Sequence, residues 1–491
     1  MRAPVPSRAV ARTRVDDGGP VRSFINWAYS GGVLSLTQSQ QYGGFAGRLR
    51  RFEQMERQSL AQNHEHQWTR LKRLVEHAIG TSPFYRERLN RAGVRACDLS
   101  SEEDLRRIPI LTRDEIRENL PEMKARSFAA GEVFAAATGG TTDTPVPIVR
   151  DLESLREKSA VQWSFSRWAG FRPGDKVFYL WGAAQDFAQD ASWRWRLFDR
   201  HVMRRIWGPT SHLNEEILES YRKTIGRFQP RVIYAYPTPL TLLCEYLENC
   251  GRPYWRPRSV ISTAESLLPH QREFIEKVLE CRVFERYATR EFGTIAADCE
   301  QGQEMHLNPS AAYVEQIPVK GSETNLSELV VTDLLNYAMP LIRYRINDCV
   351  ITGGGNCSCG RGYPLLGRIT GRTADVFWLS NGDAVPGVSL TNRVLQVCPG
   401  LRKIQVTQWT LDDFEVKYVP GPAFASEDLG RLRANLNNFF PSDVHWRFEP
   451  VSEIEREKSG KTRFCISRVC PPHRMMPGFG GSVGGSADAR G

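Results

Sequence analysis

The sequence has no long apolar run. None of its 491 residues lies in an uninterrupted apolar stretch approaching the roughly 18 to 20 residues that a membrane-spanning helix requires, and the mean hydropathy is −0.42. With 41% hydrophobic and 25% charged residues, the composition excludes a disordered or collagen-like chain. We therefore expect a globular protein of two to four structural units that is not an integral membrane protein.

A disulfide framework is also missing. The 11 cysteines are an odd number and follow no repeating spacing, which favours a reducing compartment. The apolar patch at 24–36 is interrupted by Asn26, Gly31 and Gly32, so it does not form the hydrophobic core of a secretory signal. Together these features predict a cytoplasmic protein.

The chain lacks a strong excess of either charge. Its 65 Lys and Arg against 56 Asp and Glu give +9, and residues 1–23 contribute +3 of this from five Arg against Asp16 and Asp17. The remainder is only mildly basic, which suits an anionic small molecule such as a nucleotide. We expect neither a nucleic-acid partner nor a membrane partner, because no dense basic stripe is present.

Short apolar runs alternate with amphipathic stretches through most of the chain. Strands are predicted at 176–181, 231–236, 259–263, 282–286 and 328–332, and helices at 49–79, 215–228, 240–249 and 269–279. Two capping boxes, Ser101 with Asp104 and Thr112 with Glu115, mark further helix starts. After residue 374, strands at 374–379, 401–409, 414–418 and 464–469 and a helix at 426–440 predict a small α+β domain.

This alternation predicts an α/β fold class with four segments. A Pro- and Arg-rich tail at 1–23 precedes a large layered α/β domain at 24–373. The small α+β domain follows at 374–469, and a Gly- and Ser-rich tail at 470–491 ends the chain. We expect both tails to be disordered.

The segment 135–145 (AAATGGTTDTP) combines small residues, paired glycines and hydroxyls. Backbone N–H groups and side-chain hydroxyls in such a loop can converge on phosphate oxygens without steric interference. The segment lacks the Gly-Lys-Ser/Thr ending of a Walker loop, and a plain surface turn is the alternative interpretation. Its candidate phosphate ligands are Thr138, Gly139, Gly140, Thr141 and Thr142.

The loop resembles the phosphate-binding signature of adenylate-forming enzymes, the superfamily of acyl-CoA synthetases, luciferases and peptide-synthetase adenylation domains. Further resemblances follow in the expected order at 262–265 (STAE), 287–293 (YATREFG), 332–334 with 340–348 (TDL and PLIRYRIND), 371–375 (GRTAD) and 459–461 (SGK). The segments 82–85 (SPFY) and 108–113 (IPILTR) are similar to the branch of phenylacetate–CoA ligases, coenzyme F390 synthetases and capsular polysaccharide biosynthesis proteins. The resemblance covers roughly residues 70–469.

The resemblance implies a ligase that joins a carboxylic acid to ATP, releases pyrophosphate and transfers the acyl group to a thiol. Coenzyme A is the expected acceptor, and an amine or a carrier-protein thiol remains open. A homodimer is also left open. The implied fold is a large adenylation domain with a small mobile C-terminal domain that rotates about a hinge at 373–375.

The resemblance also assigns roles to individual residues. Glu291 would bind Mg²⁺, Tyr287 would face the adenine, and Asp348 would accept the ribose hydroxyls. Lys461 and Thr141 would act on the reacting carboxylate and phosphates; Ala264, Glu265 and Arg372 complete the ATP-binding set, although Arg368 offers a competing register for Arg372. Without the motif order, Tyr287 is more simply a core residue, Asp348 a turn residue and Lys461 an exposed lysine.

The acid itself is only coarsely indicated. Trp181, Tyr236 and Tyr234 lie at or just after the ends of predicted strands in the half that builds the acyl pocket in this branch, which suggests an aromatic or flat acid. Packing in the core explains these side chains equally well.

Cys299, His306, Cys357 and Cys359 form a further constellation. Three thiolates and one imidazole can close a tetrahedral Zn²⁺ site with no open position, and some members of the branch look similar here and carry a structural metal. Free cysteines are the alternative.

Three departures from the family pattern bear on activity. Asp143 and Ala288 each replace a usual Gly, and Ala374 occupies the usual hinge position. A catalytically degenerate nucleotide-binding relative is therefore a rival hypothesis. The cysteines and the net charge of +9 make a zinc-dependent interaction or nucleic-acid protein a second.

Overall fold

The computed structural model describes residues 20–137, 146–181, 193–210, 213–250, 255–302, 304–319, 325–353, 357–372, 376–380, 384–386, 398, 400–421, 424–437, 440, 444–455 and 463–469. The chain divides into two compact units. The first comprises Met1–Ile317, Ser327–Ile369 and Glu455–Thr462, and the second comprises Pro318–Leu326, Thr370–Ile454 and Arg463–Gly491. Within the described ranges, no helix combines the length and the apolar character needed to cross a bilayer.

The first unit begins with short helices. They are α1 Pro20–Ala28, α2 Leu34–Thr37, α3 Ser39–Tyr42, α4 Phe45–Met55, α5 Leu60–Thr81, α6 Pro83–Arg91, α7 Glu102–Arg106, α8 Arg113–Glu118 and α9 Leu120–Met123, with a π-helical turn at Tyr29–Val33 and 3₁₀ turns at Ala96–Asp98 and Ala130–Glu132. Both capping boxes are confirmed at the starts of α7 and α8.

The single helix predicted over 49–79 is wrong, because the chain forms α4 and α5 with a break between them. Ser59 caps α5, accepting from the Gln62 N–H at 3.2 Å, while the Gln62 side chain accepts from the Ser59 N–H at 2.9 Å. This reciprocal pairing satisfies backbone donors at a new helix start, so the apolar periodicity continues across a real boundary.

The strands that lie wholly or partly in this unit are β1 Val133–Ala137, β2 Pro147–Asp151, β3 Val177–Leu180, β4 Arg205–Gly208, β5 Val232–Ala235, β6 Ser259–Thr263, β7 Arg282–Thr289, β8 Gly293–Asp298, β9 Met305–Leu307, β10 Ala312–Pro318, β11 Leu326–Asp333, β12 Tyr344–Ile351, β13 Leu365–Leu366 and β14 Arg368–Arg372. The interleaved helices are α10 Leu152–Trp168, α11 Trp193–His201, α12 Glu215–Phe228, α13 Pro237–Asn249 and α14 Pro269–Leu279.

An eight-stranded sheet with the order β13-β9-β8-β7-β6-β5-β3-β4 forms the centre of this unit. Five neighbouring strands, β3, β4, β5, β6 and β7, run parallel, so their carboxyl ends share one edge. Open α/β sheets bind ligands at that edge. Apolar side chains of α12, α13 and α14 cover one face of the parallel part, and Trp163 of α10 packs with the other.

The strands β10, β11, β12 and β14 form a second sheet in that order, and its buried side chains belong to a separate apolar cluster. Leu111 bridges to Tyr344 of β12, which ties the segment before α8 to this sheet. The Tyr85 hydroxyl donates to the Pro340 carbonyl at 2.9 Å, so the helical N-terminal region holds the turn that leads into β12.

The second unit is a small α+β domain. Its elements are β15 Val376–Trp378, β16 Ala384–Pro386, β17 Leu401–Gln408, β18 Asp413–Pro420, α15 Ser426–Asn437, β19 His445–Pro450 and β20 Cys465–Ser467. The sheet order is β19-β18-β17-β20, and its core includes Phe377, Ile404, Phe414 and Leu432. The expected fold class, a large α/β domain with a small α+β C-terminal domain, is confirmed.

Candidate active site

The predicted phosphate loop is framed by a hairpin. Residues 138–145, with Thr138, Gly139, Gly140, Thr141, Thr142 and Asp143, lie outside the described residues. The strands on either side, β1 and β2, pair antiparallel with Ala137 opposite Pro147, so the two ends of the loop are adjacent. The described hairpin therefore fixes where the loop starts and ends.

Two cations from β2 and α10 hold the turn that carries Glu291. Arg150 donates to the Arg290 carbonyl, and Lys158 Nζ donates to the Glu291 carbonyl at 2.9 Å. Burial lowers the pKa of Arg150, and the carboxylates of Asp333 and Glu291 oppose that shift. The elements that follow the phosphate loop thus position the predicted Mg²⁺ ligand through its backbone.

Tyr287 and Asp348, which the motif order assigns to adenine and ribose, come together from different sheets. The Tyr287 hydroxyl donates to Asp348 Oδ2 at 2.5 Å. The pKa of Tyr344 is raised to about 12, first by burial and then by the carboxylates of Glu291 and Asp348. Tyr287 of β7 and Asp348 of β12 are therefore in direct contact, and the Glu291 carboxylate also acts on the Tyr344 phenol of β12.

The 262–265 segment leaves β6 in a constrained turn. Ala264 has φ +71°, a left-handed conformation that a non-glycine residue adopts at a cost of about 1–3 kcal/mol. Glu265 Oε2 accepts from the Thr238 N–H at 3.1 Å, at the start of α13. This contact gives Glu265 a helix-capping role beside its predicted ATP-binding role, which stays a prediction.

The two predicted acyl-pocket residues are neighbours. The rings of Trp181 and Tyr236 lie 4.5 Å apart between centroids, and Trp181 also meets Tyr234 at 5.5 Å. Both residues directly follow parallel strands, β3 and β5, so the cluster stands at the carboxyl edge of these strands, where open α/β sheets bind ligands.

Two further predicted residues, besides those of the phosphate loop, have no described side chain. Lys461, in 456–462, lies outside the described residues. Arg372 is the last residue of β14, and only its backbone is described. Their roles stay predictions, as does the choice between Arg372 and Arg368.

The sequence reasoning did not single out Lys158 and Arg150. Lys158 is buried, and its Nζ pairs with Asp333 Oδ2 at 2.6 Å. Lysine in a charged helix is typical of a solvated face, and its partner lies 175 residues away, so no local pattern marks the contact.

The four candidate zinc ligands form one cluster. The ligand atoms of Cys299, His306, Cys357 and Cys359 all lie within 4.8 Å of one another. Cys299 Sγ is 3.4 Å from Cys357 Sγ, and Cys359 Sγ is 3.4 Å from His306 Nε2. Burial lowers the pKa of His306, which favours the neutral, metal-binding imidazole. A 4.8 Å spread fits sulfur and nitrogen ligands around one tetrahedral ion.

Comparison with known proteins gives matches over most of the chain. Residues 377–468 match the CapK C-terminal domain family. Protein CapK of Staphylococcus aureus is 24% identical over 392 residues, covering 79% of this chain and 85% of that protein. A phenylacetate-coenzyme A ligase of Pseudomonas putida is 26% identical over 352 residues, covering 70% of this chain and 78% of that protein.

Solved structures agree in fold. A 2-hydroxyisobutyryl-CoA ligase in the postadenylation state superposes with a TM-score of 0.67 at 18% identity, covering 84% of this chain and 91% of that one. Its open conformation superposes with a TM-score of 0.56, covering 84% of this chain and 93% of that one. The sequence matches confirm the predicted resemblance to the phenylacetate–CoA ligase and CapK branch, and the structural matches confirm the adenylate-forming ligase fold.

Proposed function

We propose that this chain, similar in sequence and fold to the phenylacetate–CoA ligase and CapK branch of adenylate-forming proteins, is an ATP-dependent, AMP-forming ligase. It activates a carboxylic acid as the acyl-adenylate and transfers the acyl group to a thiol, with coenzyme A as the expected acceptor. The observation that carries this proposal is the contact between Tyr287 and Asp348, together with the hydrogen bond that joins the turn before Glu291 to the hairpin flanking the predicted phosphate loop.

Charge is the difficulty that such a site must overcome. A carboxylate and a triphosphate repel each other, so catalysis depends on positioning and on electrostatic stabilisation of the phosphates. Thr138, Thr141 and Thr142 would bind the phosphates, and Asp348 would orient the ribose. Lys461 would supply a cation to the reacting carboxylate and the α-phosphate.

Mg²⁺ fits the residues around Glu291. Arg150 and Lys158 bond the backbone carbonyls of Arg290 and Glu291 rather than the Glu291 carboxylate. A carboxylate is the hard oxygen ligand that Mg²⁺ prefers, and the ion would neutralise charge on the phosphate oxygens. We propose Glu291 as its protein ligand.

The test is acid-dependent exchange of pyrophosphate into ATP across a panel of aromatic and aliphatic acids. We expect exchange that requires both the acid and Mg²⁺, followed by thioester formation when coenzyme A is added. Hydroxylamine and amines in place of coenzyme A separate an amide synthetase from a thioester-forming enzyme. ATP binding with no acid-dependent exchange would favour the degenerate relative.

We also propose that Cys299, His306, Cys357 and Cys359 bind one structural Zn²⁺. The ligand spacing supports a closed tetrahedral site, and His306 Nδ1 lies 3.3 Å from the Tyr363 carbonyl, a contact that would orient the ring. The ion would join the β8–β9 region to the segment before β13, and no catalytic step depends on it.

Replacing Cys359 with Ser should remove the metal. We expect about one Zn²⁺ per chain in the wild type, a loss of most of it in the variant, and a melting temperature lower by about 5 °C. Elemental analysis and thermal unfolding measure both effects. Cys244→Ser is the matched control, because Cys244 is a buried cysteine in a different apolar cluster. Equal zinc content in Cys359→Ser and wild type would contradict the proposal.

A further inference from the structure

Arg286 differs from the other buried cations of this protein. In the part of the chain that the structure describes, three Lys or Arg side chains are buried: Lys158 at 8% exposure, Arg343 at 4% and Arg286 at 3%. Lys158 pairs with Asp333 at 2.6 Å, and Arg343 pairs with both carboxylate oxygens of Glu315 at 2.9 Å. Two of the three therefore have a carboxylate partner.

Arg286 has only neutral partners among the described residues. Its guanidinium donates to the Tyr234 hydroxyl at 3.1 Å and to Ser166 Oγ at 2.8 Å, and its buried Nε has no hydrogen-bond partner there. A buried charge without a counterion is costly, and proteins pair such charges or place them where a ligand supplies the opposite charge. Of the five N–H donors of a guanidinium, two are used, so three remain for a ligand.

The position of Arg286 points to the acyl substrate. It stands opposite Thr263, the last residue of β6, at the carboxyl edge of the parallel strands. Its guanidinium carbon lies 5.3 Å from the centre of the Tyr234 ring, and that ring contacts both Trp181 and Tyr179. Tyr179 and Trp181 are only partly buried, so part of this aromatic cluster is exposed to solvent.

We propose that Arg286 binds a second anionic group of the acyl substrate, distinct from the carboxylate that is activated. This inference rests on the proposed ligase function and adds the substrate class: a flat acid that carries a further carboxylate. The planar guanidinium can hold a carboxylate through two parallel hydrogen bonds while the aromatic side chains contact the ring. The reacting carboxylate has a different predicted cation, Lys461, and must stay free to attack the α-phosphate.

The experiment compares two acids of one shape, 4-carboxyphenylacetate and 4-methylphenylacetate, in pyrophosphate exchange. We expect wild type to prefer the diacid by about 100-fold or more in kcat/KM, because a site built for a polar group discriminates strongly against its absence. Arg286→Met should abolish this preference and leave kcat/KM for the methyl acid within about threefold of wild type. Arg286→Lys, which keeps the charge and loses the planar fork, should retain part of the preference.

Ser166→Ala distinguishes substrate binding by Arg286 from a purely structural role of Arg286. Ser166, on α10, accepts a hydrogen bond from Arg286 of β7. If the role of Arg286 were purely structural, Ser166→Ala would resemble Arg286→Met. We expect Ser166→Ala to keep the preference for the diacid. Equal use of both acids by wild type would overturn the inference, as would a matching loss in Ser166→Ala.

Binding without turnover distinguishes this inference from the ligase proposal. The diacid should raise the melting temperature of wild type and leave that of Arg286→Met unchanged, with the methyl acid as the control. A thermal shift that depends on Arg286, together with no exchange on any acid, would reject the ligase function and support anion binding. Exchange on acids that lack a second anionic group, without a thermal shift that depends on Arg286, would support the ligase and overturn the inference. Loss of activity on both acids in Arg286→Met would assign Arg286 to the reacting carboxylate and also overturn it.

Discussion

Lys461→Ala should lower the rate of acyl-adenylate formation by about 10²- to 10³-fold, the cost typical of removing one preorganised group that stabilises charge in a transition state. Lys461 belongs to the segment 457–462 (EKSGKT), and it is the predicted cation for the reacting carboxylate and α-phosphate. The measurement is acid-dependent pyrophosphate exchange under saturating ATP and Mg²⁺. Thioester formation from supplied acyl-adenylate and coenzyme A should fall far less, because no pyrophosphate leaves in that step.

Lys458→Ala is the matched control for this prediction. Lys458 lies three residues earlier in the same segment and carries the same charge, so a general loss of positive potential would affect both variants. We expect exchange by Lys458→Ala within about threefold of wild type. Equal losses in both half-reactions of Lys461→Ala would contradict the assignment to the first step.

Local sequence signals account for much of the fold. The predicted strand 259–263 and the helices 215–228 and 269–279 match β6, α12 and α14 at both ends. Asn214 caps α12, accepting from the Ile217 N–H at 2.9 Å, and Pro269 stands at the first position of α14. These are short-range effects of capping and fixed φ, so the residues at the boundary contain the information.

Other elements gave no such signal. Strand β19, His445–Pro450, was not predicted, and its side chains are mostly exposed because it forms the edge of its sheet. Its pairing with β18 provides the stabilisation that its own composition does not indicate. The break before α5 was missed because the apolar periodicity continues across it, so the pattern indicated one helix where the chain forms two.

The site divides in a similar way. The motif order predicted that Tyr287, Glu291 and Asp348 belong together, and the hydrogen bond between Tyr287 and Asp348 places two of them in contact. By contrast, the contacts of Lys158 with Asp333 and of Arg286 with Tyr234 and Ser166 join residues more than 50 positions apart. Such contacts depend on how separate elements are placed against each other in the fold. Local patterns in the sequence do not reveal that placement.

Lys158→Met should destabilise the first unit by about 3–5 kcal/mol, because it leaves the Asp333 carboxylate buried without its cation. Asp333 is 0% exposed, and Lys158 Nζ lies 2.6 Å from its Oδ2. Burial lowers the pKa of Lys158, and the Asp333 carboxylate opposes that shift. Chemical denaturation followed by tryptophan fluorescence measures the loss.

The double variant Lys158→Met/Asp333→Asn tests the cause. It removes both charges, and the asparagine side-chain oxygen still accepts from the Leu335 N–H, which donates to Asp333 Oδ1 at 3.0 Å. We expect it to recover most of the stability lost in the single variant, since replacing a buried ion pair by neutral groups costs little. A double variant as unstable as Lys158→Met would show that the lysine stabilises the fold by packing, for example against Gly293, rather than by pairing.

The same double variant separates stability from site geometry. Lys158 also donates to the Glu291 carbonyl at 2.9 Å, and neither methionine nor the shorter asparagine replaces that bond from the same position. The Glu291 carboxylate should then be less well fixed, so the Mg²⁺ concentration needed for half-maximal exchange should rise by about tenfold while the protein stays folded. Recovery of stability together with an unchanged Mg²⁺ requirement would assign Lys158 a structural role only. A raised requirement in a stable protein would identify it as the residue that positions the metal ligand.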